Sequence, residues 1–501
     1  MSRRVTSVAV VGRDVSLWLT VVALQSALGR TGLRIHAVDL GSRLSRADVY
    51  VALPTLASLH RLLGVDERLV LDACRGVPMV GQRFSNWAKG APPFMLAYDD
   101  EPPPGGRLPF LQYWAKAALE GLRVGLEEFS LGSGCARLNA VPLPVDENAV
   151  LSASYGYQLE AQAYAELLKQ LALRRGIEIA ASPLCGVGIT GDTIEGVELA
   201  DGTRIEADLY VDASGREARL IGGLASAHFE SWSEWLPCDR LLAASAPRMP
   251  SLPAFSQVSA FHGGWVGLFP LQDRTAVVAA YSSTAAKDSE VADLAGVITR
   301  VRISGDAVVS DLGPGARQSP WLGNCVAIGE AAIAPDPIDG VEMQVTQAGI
   351  SHLVSLFPAT AGKSPEASAY NAAIRSFGSN LRDFQAAHYL FNRRYDEAMW
   401  DRVRDAAPPP GLARKAGMFR ARAIIPMADE ETFQEQGWAA LLTGCGIVPQ
   451  GYDPRVDVLP AEAHVEMVQQ RLRAVAELAR RMPAVDQFIA AEQQMPLQAG
   501  A

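Results

Sequence analysis

The clearest pattern lies at the start of the chain. Residues 8–11 are an unbroken apolar run, Gly12 follows, and apolar positions then recur at helical spacing over 17–28. Gly32 resets the chain, and residues 33–40 read as a second strand that carries Asp39 near its end. Strand, helix and strand at this length predict a βαβ unit of the dinucleotide-binding kind. Residues 57–63 again have helical period, and a Pro/Gly-rich segment bearing aromatics runs from 76 to 109.

A second ordered block covers 157–215. Residues 161–175 read as a helix capped near Gly176. Strands follow at 177–180, 186–190, 195–199, 204–207 and 209–212, with turns at Gly191-Asp192 and Asp201-Gly202. Residues 229–309 read as mixed strands carrying Trp232, Trp235 and Trp265. A strand at 325–328 then enters Gly329-Glu330, a proline-punctuated loop, and a helix from about 345. Beyond 369 the pattern is mainly helical, with a proline break at 408–410 and a Gln/Ala-rich tail from Glu492 that reads as frayed.

Composition narrows the function classes. The chain has 501 residues, 49% hydrophobic and 20% charged, enough for a large core. A net charge of −10 argues against a nucleic-acid partner. The cysteines Cys74, Cys135, Cys185, Cys238, Cys325 and Cys445 lack Cys-x-x-Cys spacing, so buried thiols are expected and no metal site. No apolar run approaches the length of a membrane span, and the N-terminus is a poor signal peptide, so a cytoplasmic location and no membrane partner are expected. Lysine is scarce, confined to positions 89, 116, 169, 287, 363 and 415.

Four landmarks occur in order: the βαβ unit, Asp39, Asp212-Ala-Ser-Gly215, and Ala327-Ile-Gly-Glu-Ala331. Together they resemble the FAD-contacting segments of flavin monooxygenases. The helical end narrows the resemblance to the flavin-dependent tryptophan halogenases: Leu381-Arg-Asp-Phe384, His388-Tyr389, Arg394, Trp400, Gly437-Trp438, Gly444, Gly446, Pro449, Met482-Pro483 and Phe488-Ile489 are similar to that family's tail. The resemblance covers roughly residues 5 to 490. It implies an α/β, FAD-binding Rossmann-type flavin monooxygenase fold over 1–370. A substrate-side β-sheet region is inserted at about 75–155 and 225–310, and a helical C-terminal region covers 371–501.

The resemblance also implies chemistry. In that family reduced FAD, supplied by a separate reductase, activates oxygen, a halide becomes hypohalous acid, and a lysine helped by a glutamate delivers the halogen to an aromatic ring. By similarity Gly12, Arg13, Asp39, Asp212, Gly215, Gly329, Glu330 and Pro337 face FAD, Trp87, Trp265 and Pro270 the substrate, and Asp339 the catalytic position. An aromatic small molecule, a flavin reductase, and a paralogue or second copy of the chain are the implied partners.

Several motif positions depart from the family. The phosphate turn reads Gly12-Arg-Asp14-Val-Ser-Leu17, with Asp14 and Leu17 in place of glycines. A like charge at about 4 Å from a diphosphate costs roughly 4 kcal/mol at an effective dielectric of about 20, or about three decades of affinity. Met79 aligns with the delivering lysine, and its thioether cannot form a haloamine. Lys89 is the nearest lysine and reads as solvated. The Trp-x-Trp-x-Ile-Pro signature is Trp265-Val-Gly267-Leu-Phe269-Pro270 here, and Glu342, read as an exposed loop residue, replaces a glycine beside the halide site. Two readings stand: a halogenase-family oxidoreductase with degenerate motifs, acting by halogenation or oxygenation on an indole-like aromatic, or a non-catalytic halogenase-like binding protein or partner subunit.

Overall fold

Residues 4–100, 108–143, 151–362 and 365–494 are described by the computed structural model. The first apolar run forms Ser7–Gly12, buried along its whole length. It lies parallel between Arg34–Asp39 and Leu209–Ala213, as a strand covered by helices on both faces must. The six-stranded sheet continues through Cys325–Ala327 to an antiparallel edge, Trp321–Leu322, and on the other side ends at Glu178–Ile179. Gly12 pairs with both Asp39 and Ala213, and Asp212 pairs with Ala327. This register brings all four landmarks to the carboxyl edge of one sheet, where such folds bind ligands.

The first helix is Asp14–Leu28, three residues longer at its start than the apolar spacing predicts. Asp14 begins it as the acid of the first turn, where the helix dipole favours negative charge. The turns at Gly191 and Gly202 are present with positive φ, and join Leu184–Thr190, Thr193–Leu199 and Arg204–Ile205 into a three-stranded meander. The Pro/Gly-rich segment folds in part as Val77–Met79, Gly81–Ser85 and Phe94–Ala97; its residues 101–107 lie outside those described.

Gly81–Ser85 and Phe94–Ala97 complete a seven-stranded sheet with Ser256–Phe261, Gly264–Pro270, Arg274–Tyr281, Arg240–Pro247 and Ser304–Asp311. Gly264–Pro270 is buried at every position, because one face meets the helix Asp288–Thr299 and the other meets the helical region. That helix lies within a stretch whose sequence pattern showed only strands. Val49–Ala52, Gly156–Glu160 and Val77–Met79 form a further small sheet.

The helical region holds the 26-residue helix Pro365–Leu390, followed by Ala398–Arg404, Pro410–Arg422, Glu435–Gly444, Ala461–Arg481 and Val485–Gln494. The proline break starts a helix, since Pro410 sits where no amide hydrogen is needed. Helix Val485–Gln494 carries through Glu492, and the tail from 495 lies outside the described residues. Trp400 and Trp438 are fully buried, and each indole N–H has an acceptor, Phe261 O at 2.7 Å and Glu431 Oε2 at 3.1 Å. The cysteines are all free thiols, and Cys185 alone of the six is exposed. No helix among the described residues is long and apolar enough to cross a membrane.

His60, on the helix Thr55–Leu63, is 2% exposed and its Nε2 meets the Tyr164 hydroxyl at 2.7 Å. Burial holds its imidazole neutral, pushing the pKa from 6.5 to about 4. Because the folded value is depressed, unfolded chains take up the proton first as pH falls. Stability from this group is present above pH 6.5 and is lost toward pH 4, by about 3 kcal/mol. Denaturant melts of wild type and His60→Gln across that window should show the wild-type advantage shrinking with acid; a difference that does not vary with pH would refute the assignment.

Candidate active site

The cofactor edge is built from three loops leaving adjacent parallel strands. Backbone approach fixes the first: a Cβ on Gly12 would lie 2.3 Å from the Ala213 carbonyl oxygen. Gly329 has φ +63°, and a Cβ there would meet Ser16 Oγ and Thr346 Oγ1 at 2.9 Å. Gly215, also left-handed at φ +74°, opens the turn after Ala213. Asp14 adopts φ +51°, a left-handed conformation that glycine enters freely and Asp tolerates better than most residues. Its carboxylate lies by Ser42 and accepts from Arg43 N at 3.4 Å. Burial pushes that carboxyl above the usual range.

Asp39 ends its strand at the same edge, accepting from Gly41 N at 2.9 Å and from Lys169 Nζ at 3.1 Å. Asp212 is fully buried and spends its carboxylate inside its own loop, on Ser214, Leu220 N and Ile221 N at 2.5–3.0 Å. It shapes that loop. Glu330 Oε1 accepts from Arg216 Nε at 2.8 Å, and Arg13 donates to Glu217 at 3.1 Å while its Nε stays buried without a partner. Two bare-backbone approaches, an acid at the second strand and an uncommitted guanidinium N–H fit a flavin dinucleotide.

Below this edge Pro337 starts the short turn Pro337–Asp339, and Asp336 caps it. Asp339 is 1% exposed; its Oδ1 meets His388 Nε2 at 2.9 Å, while Oδ2 has no partner. Asp336 Oδ2 accepts from the Tyr389 hydroxyl at 2.8 Å, which accepts from Trp265 Nε1 at 3.0 Å. Burial pushes the Asp336 carboxyl up to about 6. Glu342 is no exposed loop residue: it is half-buried at the head of Glu342–Ser355, and burial pushes its carboxyl up to about 7.

Met79 is fully buried in a small apolar cluster with Val51, Phe269 and Ala276, and Tyr98 packs against it. The Tyr98 hydroxyl is buried without a partner, and burial together with the Asp339 charge pushes its pKa far up. Trp87 is 3% exposed, and its indole N–H donates to His388 O at 2.9 Å. Pro270 closes the Trp265 strand. Lys89 lies apart and donates to Tyr395 O at 2.8 Å. A half-open cavity of about 1120 Å³ has Phe110, Phe129, Tyr155, Tyr157, Glu67 and Glu127 among its walls. It touches Ala97 and Asp99, on either side of Tyr98, but its walls do not include Asp339, Met79, Trp87, Trp265 or Pro270, so the residues expected to face a substrate are not brought to it.

Tyr98, His388, Arg43 and Glu217 were not singled out as site residues from the sequence. Tyr98 sits in the Pro/Gly-rich segment 76–109 as one aromatic among several. His388 was visible only as part of the tail, and nothing local links Arg43 to Glu217.

A nucleotide-type sheet edge above a buried carboxylate that the helical region holds through His388 is the architecture of a dinucleotide-binding oxidoreductase fold. The sequence model of the tryptophan halogenase family matches residues 7–461, and the chain belongs to that family. It is similar to tryptophan 7-halogenase RebH of Lentzea aerocolonigenes, 23% identical over 98% of this chain and 99% of that protein. Among solved structures it resembles the flavin-dependent halogenase Xcc4156 of Xanthomonas campestris, at TM-score 0.92, 26% identity and full coverage of both chains. It also resembles BrvH, a flavin-dependent halogenase from Brevundimonas sp. BAL3, at TM-score 0.90 and 26% identity over 97% of this chain and 99% of that one.

The second tryptophan of the family signature has a spatial substitute. A Cβ on Gly267 would lie 2.6 Å from the Phe269 ring, which leans over the glycine on the same strand face. Gly267→Trp alone should therefore overpack and lower stability by about 1–3 kcal/mol. Adding Phe269→Gly should recover part of that loss. Equal melting temperatures for wild type and Gly267→Trp would show that the space is free.

Proposed function

We propose that this chain carries out FADH2- and O2-dependent halogenation or oxygenation of an electron-rich, indole-like aromatic. The observation that carries the reading is Asp339: a fully enclosed carboxylate, one oxygen held by His388 and the other without a partner, in the loop the family uses for chemistry. Gly12, Arg13, Asp39, Gly215, Gly329 and Glu330 would hold FAD, with Asp212 and Pro337 shaping the loops beside it. Bound in reduced form, and delivered by a separate reductase, FAD would supply the electrons that activate oxygen.

The chain's own residues supply the rest. His388 fixes Asp339, whose free oxygen accepts the proton that the ring loses on substitution. Met79 cannot donate a hydrogen bond, so the retained Tyr98 proton is the donor on that side of the site. Trp265 is held rigid by the chain of hydrogen bonds through Tyr389 to Asp336, and forms the wall between sheet and helices. The aromatic would enter by the cavity that touches Ala97 and Asp99, on either side of Tyr98, and its volume is well beyond that of a lone indole ring.

The test is turnover of indole with bromide, oxygen, FAD, a flavin reductase and its nicotinamide donor, read by mass spectrometry. Brominated or hydroxylated indole is expected above the level given by reductase and flavin alone. Asp339→Asn should lower kcat by roughly 100-fold with unchanged melting, and Tyr98→Phe by roughly tenfold. Product no greater than the protein-free background would end the reading.

A further inference from the structure

The corner where a diphosphate would sit is crossed by an ion pair of the protein's own. Glu217 follows Gly215 on the loop after Leu209–Ala213. Arg13 stands in the first turn, and Arg43 on the loop after Arg34–Asp39. These strands are neighbours, with Ser7–Gly12 between the other two. Arg13 meets Glu217 Oε2 at 3.1 Å, and Arg43 pairs with Glu217 Oε1. The bridge therefore runs from one outer loop to the other, over the end of the central strand and the start of the helix Asp14–Leu28.

We propose that Glu217 is an internal occupant of the phosphate site, holding between two arginines the place of an anionic cofactor. A carboxylate flanked by guanidinium groups is the recognition chemistry that arginines offer to phosphate. The side chains of Arg13 and Glu217 are only 13% and 28% exposed, so this arm of the bridge is sheltered, while Arg43 at 68% exposed closes it from the solvent side. Arg13 Nε is buried with no acceptor, a donor that the single carboxylate leaves unused and a diphosphate could reach. Asp14 is not the occupant, because its carboxylate is committed to the Ser42–Arg43 backbone side of the turn.

Cofactor binding is then an exchange in which diphosphate enters and Glu217 swings out to water. Affinity is set by this competition, and more by Glu217 than by Asp14. The inference rests on the flavin reading, and two probes separate them. FAD binding is followed by flavin fluorescence quenching, and inorganic pyrophosphate binding by calorimetry, for wild type, Glu217→Gln and Glu217→Ala, with thermal melts of each. Both variants should bind FAD and pyrophosphate at least ~10-fold more tightly than wild type. Arg13→Ala added to Glu217→Gln should cancel the gain. The near-isosteric Gln variant keeps the test decisive if the Ala variant does not fold. FAD affinity that is unchanged or weaker in a natively melting Glu217→Gln overturns the proposal and leaves the flavin reading intact. Tighter pyrophosphate with no FAD binding in any variant supports the anion site and sinks the flavin reading instead.

Discussion

The parallel register of the central strand is the constraint on which the site depends. Ser7–Gly12 is fixed against Arg34–Asp39 and Leu209–Ala213 by ladders that end at Gly12, Asp39 and Ala213. Because side chains alternate across a strand, a one-residue slip would turn every side chain to the opposite face of the sheet and take the landmarks out of line at its carboxyl edge. The strand is apolar and buried on both faces, so burial holds the sheet together while the hydrogen bonds select its register. Bare backbone at Gly12 lets the neighbouring strand end close in, and the arrangement of loops at the carboxyl edge follows from that approach.

Charge is concentrated at this edge and in the layer beneath it. Arg13, Arg43, Arg216, Glu217 and Glu330 form two ion-paired sets over the strand ends. Underneath, Asp336 and Asp339 are carboxylates removed from water, each tied to the long helix Pro365–Leu390 through Tyr389 or His388. Burying acids without partners is costly, so their persistence needs these hydrogen bonds and gives the helix a fixed relation to the sheet. The helical tail thus does more than cover the core. It supplies the groups that orient the carboxylates.

The family's missing residues are met by local repacking. Phe269 fills the volume over Gly267, and Met79 sits in an apolar cluster that an ammonium could enter only at a desolvation cost. Asp14 adopts a left-handed backbone, and Leu17 is fully buried under the first helix. Restoring the family residues one at a time would meet a neighbourhood already adjusted to their absence.

The residue pattern alone determined the βαβ start, the meander with its glycine turns, the helical tail and the order of the flavin landmarks. These follow from local periodicity and from turn residues whose conformations few others adopt. The resemblance carried by the tail residues added the family. What only the tertiary structure decided lies between distant segments: the Arg43–Glu217–Arg13 bridge, His388 on Asp339, the bare hydroxyl of Tyr98, and Phe269 over Gly267. Spacing along a chain reports which face a side chain occupies, but not which remote side chain shares its space. The conformation of Asp14 was hidden for a related reason, since a backbone torsion is set by the packing around a turn as much as by the residue within it.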